Sequence, residues 1–293
     1  MSAQDTGRAP GSAGLAPTAI RDVLFEAPGP RTRRLMRACT VVGVILVAAL
    51  VAVVLRQFYL KGQFSPRYWL FFTRSTTWAF LANGFVGTLK VAAASGILSL
   101  VLGLVLMLGR TCGVRVVEVL SRVVIDFFRG VPSLLLIYFF FLVVPQYGIK
   151  LQSFWMITLP VGLAASGVLA EVFRAGVNAV PQGQVDAALS LGMSRGKIMA
   201  KILLPQAIRF VIPTLVSQLV VVVKDTTLAY VVSYPDLMQD ARVLINNYTA
   251  LVSVYLVVAV IYVVLNYLIN KLAAFIAARS GVTLVTRAGE TSL

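Results

Sequence analysis

The sequence predicts an all-α, polytopic membrane protein with six transmembrane helices and both termini in the cytoplasm. Hydrophobic residues make up 59% of the 293 residues and charged residues 13%, whereas soluble domains average about 45–50% and about 25%. The apolar residues are grouped in runs that are long enough to cross a bilayer as helices. The net charge of +15 comes mostly from Lys and Arg beside those runs, which the positive-inside rule explains more simply than nucleic-acid binding.

The chain begins with a polar tail and an apolar helix. Residues 1–37 are rich in Ala, Pro, Gly and Arg and cannot bury a core, so we predict a disordered cytoplasmic tail. Residues 38–55 contain no charged residue, and we predict an additional N-terminal transmembrane helix at 38–60. A cleaved signal peptide is the alternative, but the long preceding segment and the lack of a clear cleavage site favour an uncleaved helix.

Five further spans are predicted. Residues 56–80 contain several aromatic side chains typical of a membrane interface and form an outer connector, so that the next helix begins near Asn83. The five spans are residues 83–109, 116–144, 154–177, 207–232 and 243–270. Together they define a transmembrane domain at 81–275, followed by a cytoplasmic tail at 276–293.

The distribution of Lys and Arg predicts the orientation of these spans. With the N-terminus placed in the cytosol, sixteen Lys and Arg residues that flank the spans lie on the inner side and six on the outer side. Cytoplasmic loops carry the excess of positive charge in membrane proteins. Both termini, and the polar segment between the fourth and fifth spans, are therefore expected inside.

That polar segment, residues 181–205, is predicted to contain two short helices. Alanine and leucine residues follow Asp186, which we place near the positive N-terminus of the first helix. Gly192 suits the left-handed position after its end. Ser194 can cap the second helix, residues 195–203.

The segment is expected to end at Pro205, which marks the entry to the fifth span. Two short helices joined by a glycine would form a rigid protrusion on the cytoplasmic side. The small residues Ala187, Ala188 and Gly192 allow another surface to approach closely. Such a protrusion suits a membrane protein that receives force from a soluble partner.

The chain lacks the patterns of an enzyme. A phosphate-binding loop needs four residues between its glycines and a Ser or Thr after its Lys, whereas three residues separate Gly192 from Gly196 and Ile198 follows Lys197. The sequence has no His, 11 carboxylates and two Cys, so nucleophile–base pairs, metal sites and a disulfide framework are not predicted.

Several motifs resemble those of one transporter family. Asp186-Ala187-Ala188, then Gly192, Ile202 and Leu204-Pro205 match the spacing of the EAA signature of ABC-importer permease subunits, with Asp in place of the usual Glu. The sequence FFRGVPSLLL resembles the FRGTP stretch of that family, with Val131 for Thr. The sequences AEVFRAGVNAVPQGQ and VVKDTTLAYVVSYPDL resemble the polar-amino-acid subfamily. The resemblance covers roughly residues 83–268, and the extra first span is similar to glutamate-type permeases of actinobacteria.

This resemblance implies an architecture and a set of partners. The fold would be the five-helix core of a type I importer permease plus one N-terminal helix, in the plasma membrane of a bacterium. A dimer of ABC ATPase subunits would bind ATP and Mg²⁺, so no cofactor is expected in this chain. The other partners would be a second permease subunit, identical or homologous, and an extracellular solute-binding lipoprotein that delivers an amino acid.

The resemblance also implies that residues 181–205 form the coupling helix that contacts the ATPase. ATP-driven closure of the ATPases would move this segment and switch the permease between outward and inward access. The residues assigned to this contact are Pro181, Asp186, Ala187, Ala188, Gly192, Ser194, Arg195, Ile202, Leu204 and Pro205.

Polar residues within the predicted spans are candidates for the translocation path: Lys90, Glu171, Lys224, Asp225 and Thr226. Ionisable groups at this depth are costly and are usually paired or functional. Lys224 and Asp225 either join spans, with Glu171, Arg174 or Arg129 as partners, or line the path. Lys90, about 10 Å from the outer end of its span, either extends to the outer interface or meets the carboxylate of an acidic substrate.

Arg129, Gly130 and Pro132 interrupt the third span and have two interpretations. The first is a kinked helix whose arginine reaches the lipid headgroups, since Gly and Pro kinks are frequent in membrane spans. The second is a hinge for the change between outward and inward access.

Two functional alternatives accompany the predicted importer of polar, acidic amino acids. One is an ion-gradient-driven secondary transporter, which would usually show internal repeats; no convincing repeat relates the two halves of this sequence. The other is an ABC permease for a solute that is not an amino acid.

Overall fold

The computed structural model describes residues 29–279, and within them the chain is helical with no β-strand. The helices are α1 Pro30–Leu60, α2 Ser75–Arg110, α3 Arg115–Gly130, α4 Ser133–Tyr138, α5 Ser153–Asn178, α6 Gln182–Ser190, α7 Arg195–Ile198, α8 Leu204–Asp225, α9 Leu237–Tyr248 and α10 Leu251–Arg279. Most of the two predicted tails lies outside the described residues. The predicted tail boundaries need correction, because α1 already begins at Pro30 and α10 continues to Arg279.

The chain divides into two compact units, one ending at Gly62 and one beginning at Gln63. Within the first, α1 has 31 residues and is about 46 Å long at 1.5 Å per residue, more than the roughly 30 Å hydrocarbon core of a bilayer. Its apolar side chains are exposed, with Leu46 65% and Val47 62% accessible. A helix that is apolar on all faces is typical of a membrane span.

In the second unit, the outer connector is shorter than predicted. It contains two 3₁₀ turns, Pro66–Tyr68 and Leu70–Thr73, and α2 begins at Ser75 rather than near Asn83. The hydroxyl of Thr77 donates a hydrogen bond to the carbonyl of Phe71 at 2.7 Å, which fixes the turn before α2. Lys90 therefore lies about 22 Å along the helix from the first residue of α2, compared with about 10 Å when counted from Asn83.

The predicted interruption of the third span is confirmed and is larger than a kink. Helix α3 and the segment from Ser133 to Tyr147 are bent by 99°. Val131 and Pro132 both have extended backbone, with ψ of 126° and 133°. Pro132 lacks the N–H that would continue the helix, and it disfavours helical geometry at the preceding residue. In the described chain, five helices are long and apolar enough to cross a membrane, or six if this bent pair forms one span.

Helix α5 lies at the centre of the second unit and packs against α2, α3 and α8. Ile157 and Val161 on α5 have no accessible surface, and Phe173 is almost fully buried. Close approach of α2 to α5 depends on Gly103, where an added Cβ would lie 2.8 Å from the Cβ of Leu169. Small residues at such positions let the backbones of neighbouring membrane helices approach closely.

Candidate functional site

The polar segment 181–205, named here the coupling segment, begins with helix α6 and a glycine turn. Gly192 has φ of +72°, the left-handed conformation predicted for it. The Gly192 N–H donates to the carbonyl of Leu189 at 2.9 Å, and the Met193 N–H donates to the carbonyl of Ala188 at 3.1 Å. These two bonds form a Schellman motif, which ends α6 firmly at this glycine.

Three other predictions for this segment are corrected. Asp186 lies in the middle of α6, not at its N-terminus. Ser194 occupies the N-cap position of α7, but its side chain makes no capping hydrogen bond. Pro205 directly follows a π-helical turn at Met199–Leu203, and the helix continues through it instead of ending there.

The second short helix is therefore the beginning of a long one. Helix α7, a π-helical turn at Met199–Leu203 and helix α8 are continuous, and the helical stretch from Arg195 to Val232 has 38 residues. The protrusion consists of α6 and the Gly192 turn, and it is attached directly to a membrane-spanning helix.

The coupling segment exposes most of the residues assigned to it. Pro181, Asp186, Ala187, Gly192, Ser194, Arg195 and Pro205 are exposed, Ile202 and Leu204 are half-buried, and Ala188 is buried. Leu191, next to the glycine turn, is 81% accessible, and Leu189 is 49% accessible. Apolar side chains at the tip of a polar segment are suited to insertion into a groove of another protein.

A cavity of about 750 Å³ lies between the coupling segment and the turn that joins α2 to α3. We name it the turn cavity. One wall is formed by Leu108, Thr111, Cys112, Gly113 and Glu118, and the other by coupling-segment residues that include Val185, Leu189, Arg195 and Leu203. The carboxylate of Glu118 accepts the Gly113 N–H at 2.8 Å, which orders the turn.

A cluster of charged side chains surrounds Glu171 on α5. Its carboxylate pairs with Arg110 at the end of α2 and accepts a hydrogen bond from the Nε of Arg174 at 2.8 Å. The guanidinium of Arg129, at the end of α3, lies 3.8 Å from the Glu171 carboxylate and 3.8 Å from that of Asp126. The predicted pairing of Lys224 and Asp225 with Glu171, Arg174 or Arg129 is wrong.

A second cavity, of about 360 Å³, lies at the break between α3 and α4. We name it the break cavity. Its polar lining includes Arg129, Ser133, Gln218 and Asp225, and the Ser133 hydroxyl donates to the Asp225 carboxylate at 2.8 Å. The predicted hinge residues Arg129, Gly130 and Pro132 also line it. Sequence reasoning missed Ser133 and Gln218, which carry no charge and lie in spans that it treated as apolar.

The five residues predicted to line the translocation path lie in different environments. Asp225 lines the break cavity, and the Glu171 carboxylate is ion-paired with Arg110, Arg129 and Arg174. Thr226 is fully buried and donates to the carbonyl of Val223 at 2.7 Å. Lys90 and Lys224 are exposed, and neither forms an ion pair with the described residues.

The exposed side of α8 carries a polar stripe. Thr214, Ser217 and Lys224 are exposed at helical spacing, with the apolar Val221 also exposed between Ser217 and Lys224. Lipid-facing positions are normally apolar, and a lysine there is costly. This side of α8 therefore suits an aqueous path or a second subunit better than lipid.

A pair of buried carboxylates, also missed from the sequence, lies where α9 packs against α2. Asp236 caps α9 by accepting the Gln239 N–H at 2.8 Å and has no accessible surface. Burial, together with the neighbouring Asp240 carboxylate, raises the pKa of Asp236 to about 7. Burial likewise raises the pKa of Asp240 to about 6. Gly84 of α2 leaves the space that the Asp240 carboxylate occupies.

Within residues 29–279, no group of three or more His, Cys, Asp or Glu side chains is arranged to hold a metal ion. The arrangement contains two cavities, of which the break cavity has charged lining groups, and an exposed protrusion. It is suited to binding and movement of a solute.

Comparison with known proteins gives concordant matches. A family model described as the binding-protein-dependent transport system inner membrane component matches residues 99–282. The glutamate transport system permease protein GluD of Corynebacterium glutamicum is 37% identical over 222 residues, which cover 73% of this chain and 80% of GluD. The probable glutamine ABC transporter permease protein GlnP of Bacillus subtilis is 36% identical over 199 residues, 67% of this chain and 91% of GlnP.

Among solved structures, the chain is similar to a protein in the crystal structure of an amino acid ABC transporter with histidines. The TM-score is 0.65 at 26% identity, and the match covers 69% of this chain and 94% of the other.

Proposed function

Because the chain belongs to the family of binding-protein-dependent transport system inner membrane components, we propose that it is the permease subunit of an ATP-binding-cassette importer that carries glutamate or a related acidic amino acid into the cell. Permease subunits of this family are multi-pass membrane proteins and not enzymes, and a separate subunit hydrolyses ATP. Because of this family assignment, we reject the alternative of an ion-gradient-driven secondary transporter.

The break cavity is the observation that carries the choice of an amino acid as cargo. It presents a guanidinium from Arg129, a carboxylate from Asp225, a hydroxyl from Ser133 and an amide from Gln218. A free amino acid carries a carboxylate and an ammonium group, which these groups complement. The relatives GluD and GlnP, whose names specify glutamate and glutamine, support the same class of cargo.

An excess of positive charge supports an acidic cargo in particular. Glu171 is one carboxylate among three arginines, and Asp126 is largely exposed to solvent. The positive charge of this cluster attracts anions and repels cations such as arginine. Lys90 lies about 30 Å along α2 from Arg110, so its cation would act separately from the cluster.

The coupling segment is proposed to dock in a groove of the ATPase through Leu189, Leu191 and the Gly192 turn. Because α7 and α8 are continuous, movement of this segment would be transmitted directly to the helix that carries Gln218 and Asp225. The proposal includes both termini in the cytoplasm, a second permease subunit against the polar stripe of α8, and a binding protein on the outer side.

The test is uptake by proteoliposomes that contain this chain, its ATPase and its binding protein. ATP-dependent uptake of labelled glutamate should be reduced by excess aspartate and should not be reduced by excess arginine. Uptake without the ATPase, or stronger competition by arginine than by aspartate, would contradict the proposal. Lys90→Gln should weaken the preference for acidic competitors; an unchanged preference removes Lys90 from cargo recognition.

A further inference from the structure

Glu171 joins three structural elements through ion pairs. Its contacts with Arg110 on α2 and Arg129 on α3 cross between helices, whereas its contact with Arg174 stays within α5. Glu171 and Arg110 are the least exposed members, with 20% and 17% of their side chains accessible. Ion pairs in such a partly buried position are screened less by water and salt than surface pairs.

The Glu171 cluster lies between the two cavities. Arg129 is itself a lining residue of the break cavity. Arg110 is followed directly by Thr111, which lines the turn cavity opposite the coupling segment. The cluster thus connects the end of α2 that faces the coupling segment with the end of α3 that borders the proposed cargo site.

We propose that Glu171 is a positioning residue that transmits movement of the coupling segment to the break cavity, through Arg110 on one side and Arg129 on the other. This inference rests on the proposed function. When the coupling segment closes across the turn cavity, it displaces the α2–α3 turn and Arg110, and the shared carboxylate makes Arg129 follow. The guanidinium at the edge of the break cavity then changes position when the ATPases close.

The three arginines provide a matched set of variants. Arg110→Gln and Arg129→Gln each remove one contact between helices, while Arg174→Gln removes one contact within α5. Each variant deletes a single positive charge and leaves Glu171 with two arginine partners. The variants are therefore expected to fold, unlike Glu171→Gln, which leaves three arginines without their shared carboxylate.

The measurement is the number of substrate molecules taken up per ATP hydrolysed in proteoliposomes, together with the KM for ATP. Arg110→Gln and Arg129→Gln should lower this ratio by at least about fivefold, the lower end of typical coupling between sites, with an unchanged KM for ATP. Arg174→Gln should leave the ratio within about twofold, well below that range. Arg110→Lys, which keeps the charge, should restore part of the Arg110→Gln loss.

Equal losses in all three arginine variants would overturn the inference, because a purely local electrostatic role does not distinguish them. Unchanged ratios in Arg110→Gln and Arg129→Gln would overturn it as well. Failure of the wild-type complex to couple uptake to ATP would instead reject the proposed function, so the two failures are distinguishable.

Discussion

Replacement of Gly192 by valine tests the turn that ends α6. The residue has φ of +72°, and an added Cβ would meet no atom within 4 Å. The cost is therefore backbone strain alone, about 1–2 kcal/mol for an L-residue in this conformation. A free-energy change of that size lowers the population of the native turn by a factor of roughly 5–30.

We expect Gly192→Val to insert into the membrane normally and to reduce ATP-dependent uptake while ATP hydrolysis continues. Two variants serve as controls. Gly183→Val places the same side chain in α6, where Gly183 is exposed, helical and open to a Cβ, and should transport normally. Gly192→Asn should recover much of the activity, because asparagine tolerates left-handed backbone.

The assay is uptake of labelled amino acid and release of phosphate, measured together in proteoliposomes with a fixed ratio of permease to ATPase. Normal coupling in Gly192→Val would show that the Schellman turn does not determine how the segment engages its partner. Equal loss in Gly183→Val would assign the effect to the added bulk and not to the turn.

Three further predictions concern other parts of the chain. Burial raises the pKa of Asp236 from 3.8 to about 7. The midpoint temperature of unfolding should therefore be highest below about pH 4, fall as the pH rises to about 7 and then level off. Asp236→Asn should flatten this pH dependence, and an unchanged slope would contradict the raised pKa of Asp236. Gly103→Val should destabilise the protein by about 1–3 kcal/mol through overpacking against Leu169, as measured by thermal unfolding beside Gly183→Val; equal midpoints would contradict the contact. Asp225→Asn should raise the KM for amino acid by about tenfold or more, since hydrogen bonds to charged groups contribute about 1.5–3 kcal/mol, and an unchanged KM would remove Asp225 from the cargo site.

The features predicted correctly from sequence are local. The left-handed Gly192 followed from glycine chemistry at the end of a short helical pattern, and the break at Val131–Pro132 followed from the missing N–H of proline. The long apolar runs located the spans because lipid imposes a minimum helix length, but the predicted span 243–270 begins inside α9, and the membrane-length helix is α10, Leu251–Arg279. The bounds of α1 and α2 were less accurate, since helices extend beyond the bilayer and polar residues such as those at 75–77 continue a helix as readily as they end it.

The features missed from sequence depend on contacts between distant residues. Arg110 pairs with Glu171 across 61 positions, and Ser133 pairs with Asp225 across 92 positions. No periodicity in either helix specifies which residue of another helix it meets. The burial of Asp236 and Asp240 likewise depends on Gly84 of α2, more than 150 positions earlier in the chain.

Cross-linking from the tip of the protrusion tests most directly whether the coupling segment engages a separate ATPase. The native cysteines Cys39 and Cys112 are exposed and would be replaced by serine. Leu191→Cys then places a thiol at the 81% accessible position beside the glycine turn, and Tyr147→Cys places one at a 79% accessible position expected on the opposite side of the membrane. Leu191→Cys should form an adduct with the ATPase and react with thiol reagents only from the cytoplasmic side, whereas Tyr147→Cys should form none. Reaction of Leu191→Cys from outside the cell, or the absence of an ATPase adduct in an actively transporting complex, would contradict this function for the coupling segment.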